Sequence, residues 1–315
     1  MKNRYLIITS LALCVVAVLS WKLQPVGAQS PSITSTNITA ASSADVDSDG
    51  DGFTDAQEIA WGTDPHDPNS HPDLVTGMVA WLPLDEGQGT QALDVSGQGH
   101  NGTLEGSSLP TWTSDGSGPS LAFSGAQSQV VVPNSSELTP TNKFTMMAWI
   151  KVNPGVQGTV LSKKTSDASQ TGYSLSITGG RLSALLRVGG MDRPLYGHVP
   201  VADGQWHYVA CAYNGLEFRL FVDGVRDVLT HTGGAVVQTD GSLIIGQLAG
   251  QMRDVGLYQR AFNDGEIKLL YETTSTMSTQ LARRQPAAPT FLYARLKERG
   301  RIQAAQAELR KRVTP

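Results

Sequence analysis

Between Gln205 and Arg226 the sequence reads as two apolar runs joined by Asn214-Gly215 and closed by Asp223-Gly224. Asn-Gly and Asp-Gly pairs supply the positive backbone φ of a type I′ turn, whose twist matches that of paired strands. In the second run Leu216, Phe218, Leu220 and Val222 fall on one face and Glu217 and Arg219 on the other. That period of two belongs to a strand, not a helix. The first run, Gln205–Tyr213, is apolar on both faces, as a strand inside a covered sheet would be. A chain with this hairpin at its centre is committed to an all-β domain.

The flanking sequence agrees. Further strand patterns lie at Met78–Leu84, Leu121–Phe123, Gln129–Val132, Phe144–Val152, Thr159–Ser162, Tyr173–Ile177, Leu182–Val188, Leu243–Gly246 and Met252–Tyr258. Gly179-Gly180 joins two of them as a second hairpin. Short strands at regular spacing with Gly and Asn turns predict a two-sheet sandwich or barrel. Asn263-Asp-Gly-Glu266 then reads as a capping box opening a short helix through Tyr271. The two cysteines, Cys14 and Cys211, exclude a disulfide framework, and Cys211 reads as a small buried hydrophobe within a strand.

The ends differ in character from the middle. Lys2 and Arg4 followed by the apolar stretch Leu6–Trp21 and by Val26-Gly27-Ala28 predict a secretory signal peptide over 1–28. An uncleaved anchor, or lipid attachment at Cys14, are the alternatives. Residues 29–44 are rich in Ser, Thr and Ala without apolar period and predict a disordered linker. The net charge of −4 hides an asymmetry: no Lys or Arg occurs between Lys22 and Lys143, whereas nine stand from Arg283 onward. Residues 273–315 therefore form a basic tail, helical over Phe291–Val313, that is either a solvated extension or a contact for an anionic surface. Nucleic acid is not an expected partner of a secreted chain.

The sharpest motif lies in 45–73. Asp47, Asp49, Asp51, Asp55 and Glu58 occupy positions 1, 3, 5, 9 and 12 of a twelve-residue calcium loop. Gly52 takes the sharp turn at position 6, and Phe53 offers its carbonyl at position 7. Ca²⁺ takes six to eight oxygen ligands, and carboxylates this close repel one another unless a cation neutralises them. A short helix, Ala56–Trp61, is expected to leave the loop, but the preceding linker cannot supply the entering helix of an EF-hand. With Gly62-Thr63-Asp64-Pro65 behind it, the run closely resembles the bacterial thrombospondin type 3 repeat. Dockerin modules carry such a loop twice, and one full copy stands here. The resemblance implies a rigid, calcium-ordered spacer beside a surface domain.

A second resemblance covers 75–272. Val79-Ala-Trp-Leu-Pro-Leu-Asp85, Asp94-Val-Ser-Gly-Gln-Gly, Phe144-Thr-Met-Met-Ala-Trp149, Gln205-Trp-His207, Phe221-Val-Asp223-Gly224 and Val255-Gly-Leu-Tyr258 follow in order. Together they resemble the laminin-G-like, concanavalin A-like jelly roll. That implies an all-β jelly-roll sandwich of two antiparallel sheets, placed in the chain between the acidic calcium loop and the partly helical tail read above. It also implies a structural Ca²⁺ held by Asp94 and an acid of the last strand. There Arg253 replaces the first expected acid, which leaves Asp254, displaced by one residue and so onto the other face of a regular strand.

Catalysis has no foothold in the sequence. The resembling glucanases carry Glu-x-Asp-x-x-Glu on one strand, and no strand here does. Gly-x-Ser-x-Gly and His-Glu-x-x-His are also absent. Trp206-His207 reads as packing, while Trp112, Tyr173 and Tyr196 are candidates for a sugar platform. The expected protein is a non-enzymatic, calcium-binding recognition or adhesion module, secreted or at a bacterial cell surface, whose partner is an extracellular glycan or protein. A structural surface protein without a specific ligand, or an accessory module of a carbohydrate-active system, is the alternative.

Overall fold

The alternating runs do form strands. The structure, a computed structural model, describes residues 46–49, 53–67, 70, 73–165 and 171–283. The expected signal peptide, the 29–44 linker, Asp51 and the Phe291–Val313 helix lie outside them. In chain order the strands are β1 (Met78–Leu82), β2 (Gln91–Ala92), β3 (Gly102–Glu105), β4 (Thr111–Asp115), β5 (Gly118–Ser124), β6 (Gln129–Val132), β7 (Phe144–Lys151) and β8 (Gly158–Lys164). They continue as β9 (Thr171–Thr178), β10 (Arg181–Val188), β11 (Met191–Pro200), β12 (Trp206–Tyr213), β13 (Glu217–Val222), β14 (Val225–His231), β15 (Leu243–Gly246) and β16 (Ala249–Tyr258).

They build two eight-stranded sheets. The first runs β14-β13-β12-β7-β16-β5-β4, with β1 also pairing to β16, and the second runs β11-β10-β9-β8-β15-β6-β3-β2. All pairings between the described strands are antiparallel. At one end the two sheets are tied by Asp227 of β14, whose carboxylate accepts the backbone N–H of His198 (2.7 Å) and Val199 (3.3 Å) on β11.

The central hairpin forms with a different turn. Asp223 and Gly224 both take positive φ, 51° and 77°, as a type I′ turn requires. In the other loop the Asn214 N–H meets Glu217 O, so the central pair is Gly215-Leu216. Gly215 is the residue with positive φ there, 95°, the pattern of a type II′ turn. The Asn214 side-chain oxygen accepts the N–H groups of Leu216 and Glu217, so Asn214 braces the turn from its shoulder. Leu216 consequently sits at the tip and is 59% exposed, not on the core face with Phe218, Leu220 and Val222.

Between the sheets lies one core, to which the hairpin contributes Val209, Cys211, Tyr213, Phe218, Leu220 and Val222. Cys211 is buried and unpaired, and burial pushes its thiol well up, as expected of an inert packing residue. The intervening residues Tyr208, Ala210, Ala212 and Phe221 face the opposite way into a second core with Trp81, Met147, Trp149 and Tyr258. This explains why the first run is apolar throughout: its sheet is covered on both faces.

The cover comes from both ends of the described chain. Helix α2 (Asp264–Arg283) brings Ile267, Leu269 and Leu270. Its capping box is as expected: Asn263 N–H donates to Glu266 at 2.7 Å and Glu266 N–H to Asn263 at 3.0 Å. The helix does not stop at Tyr271, because the polar run that follows has partners. Thr274 is buried, accepts the Trp149 indole N–H at 2.9 Å and donates to Leu270 O at 2.7 Å.

The second cover is the acidic repeat. Helix α1 (Asp55–Trp61) starts at Thr54, whose hydroxyl accepts the Gln57 N–H while the Gln57 side chain accepts the Thr54 N–H. It ends at Gly62 with φ 74°. Phe53 is 3% exposed and packs into the second core with Leu74, Phe262 and Ile267. Removing a buried Phe costs about 3–5 kcal/mol. Phe53→Ala should therefore destabilise the sandwich as a whole, by about 3 kcal/mol, in chemical denaturation followed by tryptophan fluorescence. An unchanged midpoint would mean that the repeat is merely tethered.

Candidate functional site

Asp55 closes the acidic loop on itself. Its carboxylate accepts the Ser48 N–H and the Ser48 hydroxyl, both at 2.8 Å, and its own N–H donates to Val46 O at 2.8 Å. The Ser48 hydroxyl is the main reason the Asp55 pKa is held below the usual carboxylate range. Asp55 and Glu58 both fall in the first turn of α1, where acidic side chains complement the helix end. Glu58 is fully buried, and a carboxylate taken out of water needs donors or a cation to compensate it. Asp47, Asp49, Phe53, Asp55 and Glu58 are thus on one short loop-and-helix unit; Asp51, at its centre, is outside the described residues. Among the described residues no group of three or more His, Cys, Asp or Glu side chains converges as a metal centre. The donor set is wholly oxygen, which fits a hard cation such as Ca²⁺.

Asp94 occupies a different environment. Its Oδ1 accepts the N–H of Trp81 and of Ser96, each at 2.9 Å. Its Oδ2 accepts the Ser96 hydroxyl at 2.7 Å and the His100 N–H at 2.9 Å. The side chain has no exposed surface. Four donors on about four lone-pair sites make Asp94 the pin around which its loop winds and by which the loop is strapped to β1.

Asp254 sits where β16 breaks register against β7, between Arg253 and Gly256, and has φ 51°. This bulge re-aims a side chain that a regular strand would have turned away. Its N–H donates to Pro83 O at 3.0 Å. Burial pushes its carboxyl up to about 7; the Asp85 charge adds to the rise and Arg253 opposes it. The neighbours of Asp254 are therefore Asp85 and Arg253, whereas those of Asp94 are donors from β1 and its own loop. Sequence reasoning passed over Asp85, although it stood in the quoted stretch after β1.

Arg253 fills the place of the expected acid with a stacking cation. Its guanidinium lies 5.1 Å from the Trp149 ring centroid and 4.5 Å from that of Trp206, and it donates to Ser117 O. Trp206 in turn donates to Asp115 at 3.3 Å, which also pairs with Lys151 at 2.9 Å. Trp206 is thus a packing residue, as expected. His207 is instead clamped between carboxylates, with Nδ1 2.8 Å from Asp223 and Nε2 3.2 Å from Asp203. The three candidate platform aromatics are dispersed. Tyr173 is buried and donates to Leu138 O, Trp112 lies on the first sheet and donates to Gly89 O, and Tyr196 is 61% exposed on the second sheet.

Residues 124–268 match the family model of the concanavalin A-like lectin/glucanases superfamily. The sandwich is a concanavalin A-like jelly roll. Residues 47–68 ahead of the jelly roll match the bacterial TSP3 repeat. Among solved structures, the binding domain of Paraclostridial Mosquitocidal Protein 1 is similar, with a TM-score of 0.53 at 13% identity over 64% of this chain and 53% of that one. The botulinum neurotoxin serotype G binding domain gives 0.52 at 14% identity over 64% and 52%. The receptor binding domain of the botulinum neurotoxin C/D mosaic serotype gives 0.50 at 15% over 63% and 52%. These likenesses are of fold, and this chain spans about half the length of those domains. No curated protein sequence matches the chain. No helix among the described residues is long and apolar enough to cross a membrane.

His207 yields a pH test of the jelly roll. The hydrogen bond to Asp223 is the main cause raising its pKa above 6.5; burial opposes the rise, and Asp203 adds to it. The charged form is thus favoured in the folded state, and its stabilisation is complete below pH 6.5 and lost as pH rises through the raised value. The thermal midpoint of wild type should fall between pH 6 and 9 by more than that of His207→Gln, measured by calorimetry. Parallel curves for the two proteins would refute this account of the clamp.

Proposed function

We propose that the chain is an extracellular, calcium-binding and non-enzymatic recognition module, in which the TSP3 repeat is a calcium-ordered brace for the jelly roll that carries the ligand. The observation that carries this reading is the burial of Phe53. The residue whose carbonyl takes position 7 of the loop inserts its ring into the second core, so ordering of the loop and stability of the sheet beneath it are linked. Asp47, Asp49, Asp51, Phe53, Asp55 and Glu58 would hold the ion; Asp94, whose oxygens accept four N–H and O–H donors, would hold its loop rather than a second ion, which leaves Asp254 beside Asp85 as the jelly roll's own candidate. The ligand is an extracellular glycan or protein. Fold neighbours whose names describe binding and receptor-binding domains support a recognition role. The basic tail would add a contact with an anionic surface.

Calcium should bind with a Kd of about 10⁻⁴–10⁻³ M, the range of extracellular modules. At ten to a hundred times Kd it should raise stability by about 1.5–3 kcal/mol. Titration calorimetry and thermal unfolding of wild type against the Asp49→Ala, Glu58→Ala double variant check both. Equal heats or equal midpoint shifts in the two proteins would count against the loop. For recognition, an array of glycans and extracellular proteins should return a ligand. A blank array, with calcium and with EDTA, would favour a structural surface protein instead.

A further inference from the structure

Strand alternation places a lysine where the second sheet has room for an aliphatic side chain. Lys163 of β8 is paired with Leu243 of β15 on one side and with Tyr173 of β9 on the other. Residues directly opposite across antiparallel strands share a face, and Leu243 and Tyr173 both belong to the core between the sheets. Lys163 therefore points inward, and it is fully buried. Its Nζ donates to Asn134 Oδ1 at 2.6 Å and to Gly241 O. Both of those oxygens are uncharged. An ammonium taken out of water needs a counter-charge to compensate it, and neither partner supplies one.

The backbone holds these three groups together. Asn134 follows β6, whose Val132 is paired with Leu243, so Asn134 and Lys163 flank β15 from its two sides. Gly241 stands just before β15. Its N–H donates to Lys164 O at 3.0 Å, and a Cβ there would run into that same carbonyl. Only glycine brings its own carbonyl this close to β8. A donor along the lone pair of a carbonyl oxygen, at hydrogen-bond distance, lies about 3.4 Å from the carbonyl carbon, the separation of a near-attack pair. The Asn134 amide turns about a soft χ2, which presents the face of that carbon to the amine. Burial pulls the Lys163 amine down to about 8, with the Asp240 charge opposing the fall, so a share of it is unprotonated and nucleophilic near neutral pH.

We propose that Lys163 and Asn134 join in an intramolecular isopeptide bond. The unprotonated Nζ attacks Asn134 Cγ, and a C–N bond forms as the carbonyl pair moves onto Oδ1. One proton leaves Nζ and is delivered to Nδ2. The C=O bond then re-forms, the Cγ–Nδ2 bond breaks, and ammonia departs. An amine and an amide thus condense to a new amide and ammonia, with no oxidant, reductant or water consumed. Asp240, beside Gly241, is the carboxylate whose charge acts on Nζ, and it is the group assigned to carry the proton. Asn134 is exposed, so the ammonia has a way out. The product removes the buried charge, and its remaining N–H still satisfies the Gly241 carbonyl. The bond ties β6 to β8 across β15, in a sandwich whose described cysteine is unpaired.

Mass spectrometry of the full chain decides the matter. Wild type should be lighter than its sequence requires by one ammonia, about 17 Da, with the termini assigned from a proteolytic digest. The same digest should contain a branched peptide joining Asn134 to Lys163. Lys163→Arg, which keeps the charge without the nucleophile, and Asn134→Ala should each show the mass of their own sequence and no branched peptide. Asp240→Asn should be recovered mostly unlinked; linkage equal to wild type would overturn the role given to Asp240. Asn101-Gly102 and Asn214-Gly215 can also shed ammonia by closing to a succinimide. A mass loss that persists in Lys163→Arg, without the branched peptide, would belong to such a site and overturn the proposal. Wild type at its full sequence mass would overturn it too, and that result needs no variant to fold.

Discussion

The structure depends on the burial of the first sheet on both faces. Trp149 shows how much is built on that condition. Its indole packs against Tyr208 with ring centroids 5.7 Å apart and stacks on Tyr271 of α2 at the same spacing, while Arg253 covers it from the side. Its N–H would be an unsatisfied buried donor but for Thr274, three residues beyond Tyr271 on the same helix. The helix must therefore continue past the end of the apolar pattern, and the repeat must be seated before the sheet, because Phe53 fills what α2 leaves open. An apolar sheet face of this size left to solvent would be an aggregation surface.

The same constraint assigns roles to the polar groups. Arg253, where the family resemblance led to an acid, is held between two tryptophans and is itself part of the packing. Asp94 is spent on winding its loop, and Asp254 lies in a bulge beside Asp85. The acidic side chains are thus divided: among the described carboxylates of the repeat only Glu58 is buried, while Asp94 winds a loop of the jelly roll and Asp254 lies in a bulge.

Much of this was legible in the sequence, and the misses have physical causes. The strands with apolar alternation, the capping box at Asn263 and the Asp223-Gly224 turn depend on local chemistry, which a sequence carries. Strands β11 and β14 were not seen because they are edge strands: Pro194 and Pro200 interrupt one, and the other is half-exposed along its length. Leu216 was misplaced by reading Asn214-Gly215 as the turn centre, when the Asn214 side chain braces the turn one residue later. The donors to Asp94 come in part from Trp81, thirteen residues away, and the bulge at Asp254 is a property of pairing with β7.

The central claim is that the TSP3 repeat and the jelly roll form one cooperative unit through the second core. Amide hydrogen exchange with and without calcium tests it most directly. Calcium should slow exchange in β7, β12 and α2 as well as in the repeat, and Glu58→Ala should abolish the slowing in all of them. Protection confined to residues 47–62, with β7, β12 and α2 exchanging as before, would contradict it.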